Sequence, residues 1–225
     1  MSNEQASVEG VGANYDVDMM MIARERTRQA MRDIAANIHA GLTEEQGTEI
    51  ARKTLKDAGL LRGWHGIYLR FGANTLKDYY ETSAPGVVLQ ENDIFFLDIG
   101  PIWQKWEGDA GDTFVVGNDP DMLRAARDIK ELFKDVRTHW RDEGATGQAL
   151  YKFAEQRAKE MGWLFYLKVA GHRIGDFPHK AIHSGTLSDA RFKPTSDLWV
   201  LELQIRHPTR PFGAFYEDLL LDEEG

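Results

Sequence analysis

The sequence predicts one α+β domain, and three observations carry that reading. Two long stretches place apolar residues at helical spacing, and short apolar runs of strand character follow them. The order helix, helix, strands then occurs twice, so helices and strands segregate instead of alternating singly. With 225 residues, 42% of them hydrophobic and 28% charged, the chain can bury a substantial core.

Residues 1–16 are polar and acidic, without an apolar run, and read as a flexible tail ahead of one domain over 17–225. A helical pattern runs from Met19 to His39 and stops at Gly41. Thr43, with Gln46 three residues on, opens a second helix that ends near Ala58, before Gly59. Strand signals follow at Gly66–Arg70, Gly86–Leu89, Ile94–Ile99 and Thr113–Val116. Asn118-Asp119-Pro120 begins a third helix over Asp121–Arg141, and Thr146 a fourth that reaches Met161. Further strands are expected at Leu198–Ile205 and Phe212–Leu221.

The repeat has a nearly constant offset. Gly41-Leu42-Thr43 and Gly144-Ala145-Thr146 lie 103 residues apart, Asp98 and Glu202 lie 104 apart, and Asp109 and Glu217 lie 108 apart. This predicts two structural halves related by a pseudo-twofold, each giving a pair of carboxylates to one central site.

Composition excludes several classes. No run of 18 uncharged apolar residues exists, so no transmembrane helix is expected, and Met1–Asp16 is no secretory signal. With no cysteine there is no disulfide and no thiolate ligand, which suits a cytoplasmic enzyme. A net charge of −9 and no basic patch argue against nucleic acid or an anionic membrane as partner. A homodimer is compatible with the Met19-Met20-Met21 run, which otherwise reads as core.

Acidic residues interrupt three apolar strand runs: Asp98 in Ile94–Gly100, Glu202 in Leu198–Leu203 and Glu217 in Phe215–Leu221. A buried, unpaired carboxylate costs several kcal/mol or stays protonated, and several together need a cation. Oxygen and imidazole donors suit Mn, Fe, Co or Zn.

These motifs together resemble the metallopeptidase family of methionine aminopeptidase, aminopeptidase P and prolidase, which has the pita-bread fold. The matching residues are Leu97-Asp98-Ile99-Gly100, then Asp109 eleven residues on with Thr113-Phe114, then Gly171-His172-Arg173-Ile174-Gly175, Glu202 and Glu217. The resemblance implies a curved antiparallel sheet in two pseudo-symmetric halves. It implies that Asp98, Asp109, His172, Glu202 and Glu217 hold two divalent metal ions, manganese first, with cobalt, zinc or iron as alternatives. Asp109 and Glu217 would bridge the ions, and a water between them would attack a peptide or other amide bond. Glu202 would also take the proton of that water, and His179 would stabilise the oxyanion.

Some positions depart from the family pattern. The upstream family histidine falls on Tyr79 or Tyr80, Leu203 replaces a proline, Lys180 stands where methionine aminopeptidases often carry Glu, and the segment before Thr113-Phe114 lacks arginine. Tyr79, Tyr80 and Trp106 are therefore expected, with His179, to line the substrate pocket, and Trp103 to lie near its mouth. Asp112 is expected in a structural turn. The remaining histidines, His39, His65, His139, His183 and His207, match no motif and read mostly as surface or structural. The implied function is hydrolysis of a small peptide or peptide-like substrate. A specialised non-peptidase amidohydrolase and a non-catalytic peptide-binding module of the same fold are the alternatives.

Overall fold

The computed structural model describes residues 3–176, 183 and 185–222, with backbone alone at 61, 62 and 64. Helix α1 (Asn3–Val8) precedes α2 (Val17–Ala35) and α3 (Glu44–Asp57). Strands β1 (Leu61–Phe71), β2 (Asp93–Trp103), β3 (Trp106–Glu107) and β4 (Ala110–Val116) follow. The second series is α4 (Pro120–Glu143), α5 (Gly147–Glu160), β5 (Leu164–Phe165), β6 (Val200–Arg206) and β7 (Gly213–Leu219).

Among the described residues these strands form one antiparallel sheet in the order β1-β2-β4-β7-β6-β5, with β3 added to β2. The order is a palindrome. β1, β2 and β4 of the first half mirror β5, β6 and β7 of the second, and the halves meet at β4 and β7. Each half covers its strands with its own two helices. Met31, Ile34, Ala51 and Leu55 pack on Leu69, Phe95 and Leu97. Ile129, Leu132, Leu150 and Ala154 pack on Leu201, Leu203 and Ala214. Strand side chains alternate, so the opposite face of the sheet receives Phe96, Asp98, Glu202, Gln204, Phe215 and Glu217.

The expected caps are present. Thr43 accepts from Gln46 N, and the Gln46 side chain accepts from Thr43 N, closing the capping box. Asp119 caps α4, with Pro120 in its first turn, and Gly144 ends it at φ 66°. One helix end and one expected strand differ most from the sequence reading, and β1, β2 and β4 are longer than expected. α2 stops at Ala35, four residues short of His39, because the chain turns there and buries Ile38. Gly86–Leu89 is not a strand of the sheet. It runs along the turn before α3, where Gly41 N donates to Leu89 O and Leu89 N to Leu42 O.

The segment read as a tail, 1–16, carries α1, and Glu9 is 7% exposed. The Glu9 carboxylate accepts from Thr195 N at 2.8 Å and from Trp199 Nε1 at 2.8 Å. No described helix is long and apolar enough to cross a membrane.

Candidate metal centre

Register puts the acids in one row across the sheet. Tyr68 pairs with Asp98, Asp98 with Gly111, Gly111 with Glu217, and Glu217 with Glu202. Glu202 and Glu217 are thus directly opposed on neighbouring strands, both buried, which is unfavourable for two like charges. Asp109 enters the same site from the turn before β4 and is 2% exposed.

Two devices make this row possible. At Gly111 a Cβ would come within 2.3 Å of the Phe215 ring and 3.0 Å of Glu217 Cγ, so only glycine admits both side chains. The halves share few ladder contacts there, and Thr113 replaces them. Its hydroxyl donates to Phe215 O at 2.8 Å and accepts from Phe215 N at 2.8 Å.

His172 is delivered by the segment between β5 and β6. Val200 N donates to His172 O at 2.9 Å, and the Tyr151 hydroxyl donates to Glu202 O at 2.9 Å while accepting from Gly171 N at 2.5 Å. Gly171 has to be glycine, because a Cβ would lie 1.9 Å from Val200 O. His172 Nε2 then stands 3.2 Å from Asp109 Oδ2 and 3.1 Å from Glu202 Oε1.

The electrostatics are those of a crowded anionic site. Burial, and then the neighbouring Asp109 and Glu202, push the Asp98 carboxyl up to about 7 against the pull of His65. Burial and the charges of Asp98, Asp109 and Glu202 hold Glu217 well above the carboxylate range. Burial opposes charge on His172, yet its hydrogen bonds to Asp109 and Glu202 raise it well above its ordinary value. Asp98 Oδ1 and Glu217 Oε1 accept no hydrogen bond among the described residues.

Ligand-type atoms of Asp109, His172 and Glu217 lie within 4.8 Å of one another, as do those of His65, Asp98 and Asp109. Buried oxygen and imidazole donors, two of the oxygens lacking a hydrogen bond, fit divalent cations, with Asp109 common to both groups.

The five residues expected as ligands are therefore brought together. His65, read from sequence as surface or structural, joins them instead: its side chain is 11% exposed and its Nε2 lies 3.4 Å from Asp98 Oδ1. A signal for it exists in the sequence, because His65 and His172 are 107 residues apart, within the 103–108 spread of the repeat. His179 and Lys180 lie outside the described residues.

A cleft reaches Asp98 and Glu202 between Tyr68, Tyr79, Phe96, Val169 and Phe215. Tyr79 is held there by its loop. Asp78 Oδ1 accepts from Tyr80 N at 2.9 Å, and Arg70 donates to Asp78 O and Glu81 O. Burial and contact with Tyr80 raise the Tyr79 phenol, so it stays protonated. Tyr80 is 78% exposed and lies tilted against Tyr79, with ring centroids 4.0 Å apart. Trp106 does not line this cleft; it is buried with Met20, Ile174 and Val200. Trp103 lies under Arg26, 4.8 Å from ring centroid to guanidinium. His183 meets the Trp199 ring edge-on, and His207 Nδ1 accepts from Arg210 N, so neither enters the site.

The profile of metallopeptidase family M24 matches residues 18–223. Methionine aminopeptidase 1 of Saccharomyces cerevisiae is 26% identical over 159 residues, which cover 68% of this chain and 40% of that protein. The prolidase of Pyrococcus horikoshii superposes with a TM-score of 0.75 at 16% identity, covering 98% of this chain and 63% of its own. A methionine aminopeptidase from Thermotoga maritima superposes at 0.70 and 15% identity, covering 92% of this chain and 96% of its own. The fold is thus the expected pita-bread fold, and the chain spans less than two thirds of the yeast protein and of the prolidase.

Proposed function

The chain belongs to metallopeptidase family M24, and from that premise we propose that it is a hydrolase that uses two divalent metal ions to cleave an amide or peptide bond in a small peptide or peptide-like substrate. The observation that carries this reading is Asp109, buried and common to two groups of ligand-type atoms. In the proposed centre Asp109 and Glu217 would be shared by both ions, Asp98 would hold one, and His172 and Glu202 would hold the other. The catalytic unit is 17–225.

Bound divalent metal supplies Lewis acidity and a water of lowered pKa. The chain's own groups do the rest. Glu202, which faces both the cleft and His172, takes the proton of the attacking water. The aromatic walls Tyr68, Phe96 and Phe215 limit bulk water and bind an apolar side chain. His179, by its match to the family pattern, would contact the scissile carbonyl.

Elemental mass spectrometry on protein purified without chelator tests the reading, together with a panel of dipeptides, X-Pro peptides and N-terminal Met peptides. About two equivalents of Mn, Co, Zn or Fe and turnover on the panel are expected. No metal uptake by the wild type would overturn it. The phenol of Tyr79 in the cleft, in place of the family's imidazole, favours a second reading, a non-peptidase amidohydrolase. Turnover of a small amide with none of any peptide would select it.

A further inference from the structure

We propose that His65 is a sixth metal ligand, completing the ion site of Asp98 and Asp109 so that each ion has one imidazole. The proposal rests on the two-ion reading above and adds a residue outside its five ligands.

The backbone is shaped to deliver this side chain. β1 pairs with β2 at Arg62↔Pro101 and again at Ile67↔Ile99, so four residues of β1 stand opposite Gly100 alone. Such a bulge re-aims side chains, and here it turns His65 onto the row of acids. Gly100 makes the room. A Cβ at that position would lie 2.6 Å from His65 Cγ, so the ring lies across the strand only because residue 100 is glycine. The ring also meets Tyr68 edge-on, with centroids 5.6 Å apart.

The tautomer follows from hydrogen bonding. His65 Nδ1 lies 2.6 Å from Gly66 O, and a carbonyl only accepts, so Nδ1 carries the proton. Metal-binding histidines commonly donate their other nitrogen in this way. Nε2 is then directed at the acids, 3.4 Å from Asp98 Oδ1 and 3.9 Å from Asp109 Oδ1. Both distances exceed the 2.7–3.2 Å of an N–H···O bond. Ligands about 2.1 Å from a shared ion are roughly 3.0–3.4 Å apart at octahedral to tetrahedral angles. The 3.4 Å separation from Asp98 meets that range, and the 3.9 Å from Asp109 exceeds it by about 0.5 Å.

The pseudo-twofold supports the same assignment. His65 precedes β2 as His172 precedes β6, with an offset of 107 against 104 for Asp98 and Glu202. An imidazole in each site shifts preference away from manganese toward cobalt, zinc or iron.

Cobalt(II) titration of the metal-free protein tests this, read by calorimetry and by visible absorption, on wild type, His65→Phe and His65→Gln. The phenyl ring of His65→Phe keeps the packing on Tyr68, and the melting temperatures of the metal-free variants report folding. Wild type is expected to take two equivalents. Loss of a direct ligand costs more than the 10–100-fold typical of its hydrogen-bonding neighbours, so both variants should bind one equivalent roughly 10³-fold more weakly, with a changed cobalt spectrum. Two equivalents with unchanged affinities and spectrum in both folded variants would overturn the proposal and leave the two-ion reading standing. Fewer than two equivalents in wild type would overturn both.

Discussion

The two halves of this molecule share a frame and differ in how they hold their functional groups. In the first half, β2 is flanked by a bulged β1, and the strand itself presents Asp98 beside His65. In the second half, β5 is two residues long and the imidazole arrives on a separate segment tied down by Tyr151 and Val200. The frame repeats because it is set by apolar periodicity. The delivery differs because a single histidine can be positioned by a bulge or by a buried phenol, and nothing in the core demands one or the other.

The halves also clamp each other by ion pairs, two arginines on one side and one lysine on the other. Asp218 of β7 accepts from Arg24 Nε at 2.7 Å and from Arg28 NH1 at 2.7 Å, both on α2. A helix of the first half thereby clamps the strand that carries Glu217. In return Lys130 of α4 donates to Asp112 of β4, the mirror strand of β7, at 2.8 Å.

The largest test of the comparison removes the shared groups. Asp109→Ala and Glu217→Ala should each lose metal and all turnover if the proposed centre draws on both halves; metal content and initial rates check this, and retained turnover in either would break the two-half model. Breaking the clamp comes next. Asp218→Ala leaves two partly buried guanidinium groups without their partner and should cost about 3–5 kcal/mol in denaturant melts. Tyr151→Phe strands a buried carbonyl and a buried N–H, at about 1–3 kcal/mol each, and should weaken the ion at His172 more than its neighbour.

A pH series sharpens the electrostatic side. In the metal-free native state Asp98, pushed up to about 7, keeps a proton that the unfolded chain sheds near 4. The native state thus binds more protons over that window, so stability falls as pH rises from about 4 to 7. Asp98→Asn should flatten that fall, and by pH 8 melt roughly 5 °C above the metal-free wild type. An unchanged pH profile in Asp98→Asn would show that the row of acids is not strained without metal. The smallest expected effect belongs to the cleft rim. Tyr79→Phe should leave metal content intact and change KM by less than about tenfold, the scale of one neutral hydrogen bond.

Sequence alone was sufficient for the α+β class, the order of the four long helices and the main sheet strands, the repeat, and the four acids and one imidazole that the fold brings together. Those features are written in periodicity, caps and motif spacing, all of which are local. Asp98, Glu202 and Glu217 were legible because an acid inside an apolar strand run contradicts its surroundings. Residues 86–89 looked like a strand because four apolar-rich residues carry no record of what they pair with, and Trp106 looked like a pocket residue because an aromatic in a turn reads the same whether it faces solvent or core. His65 carried only its offset from His172 as a signal; its position depends on a bulge, on Gly100 across the ladder and on register with Asp98. Which strands adjoin, which face a side chain takes after a bulge, and which acids end up opposite one another are set by pairing between distant segments. Tertiary structure decided those, because register is a relation between two strands and is carried by neither alone.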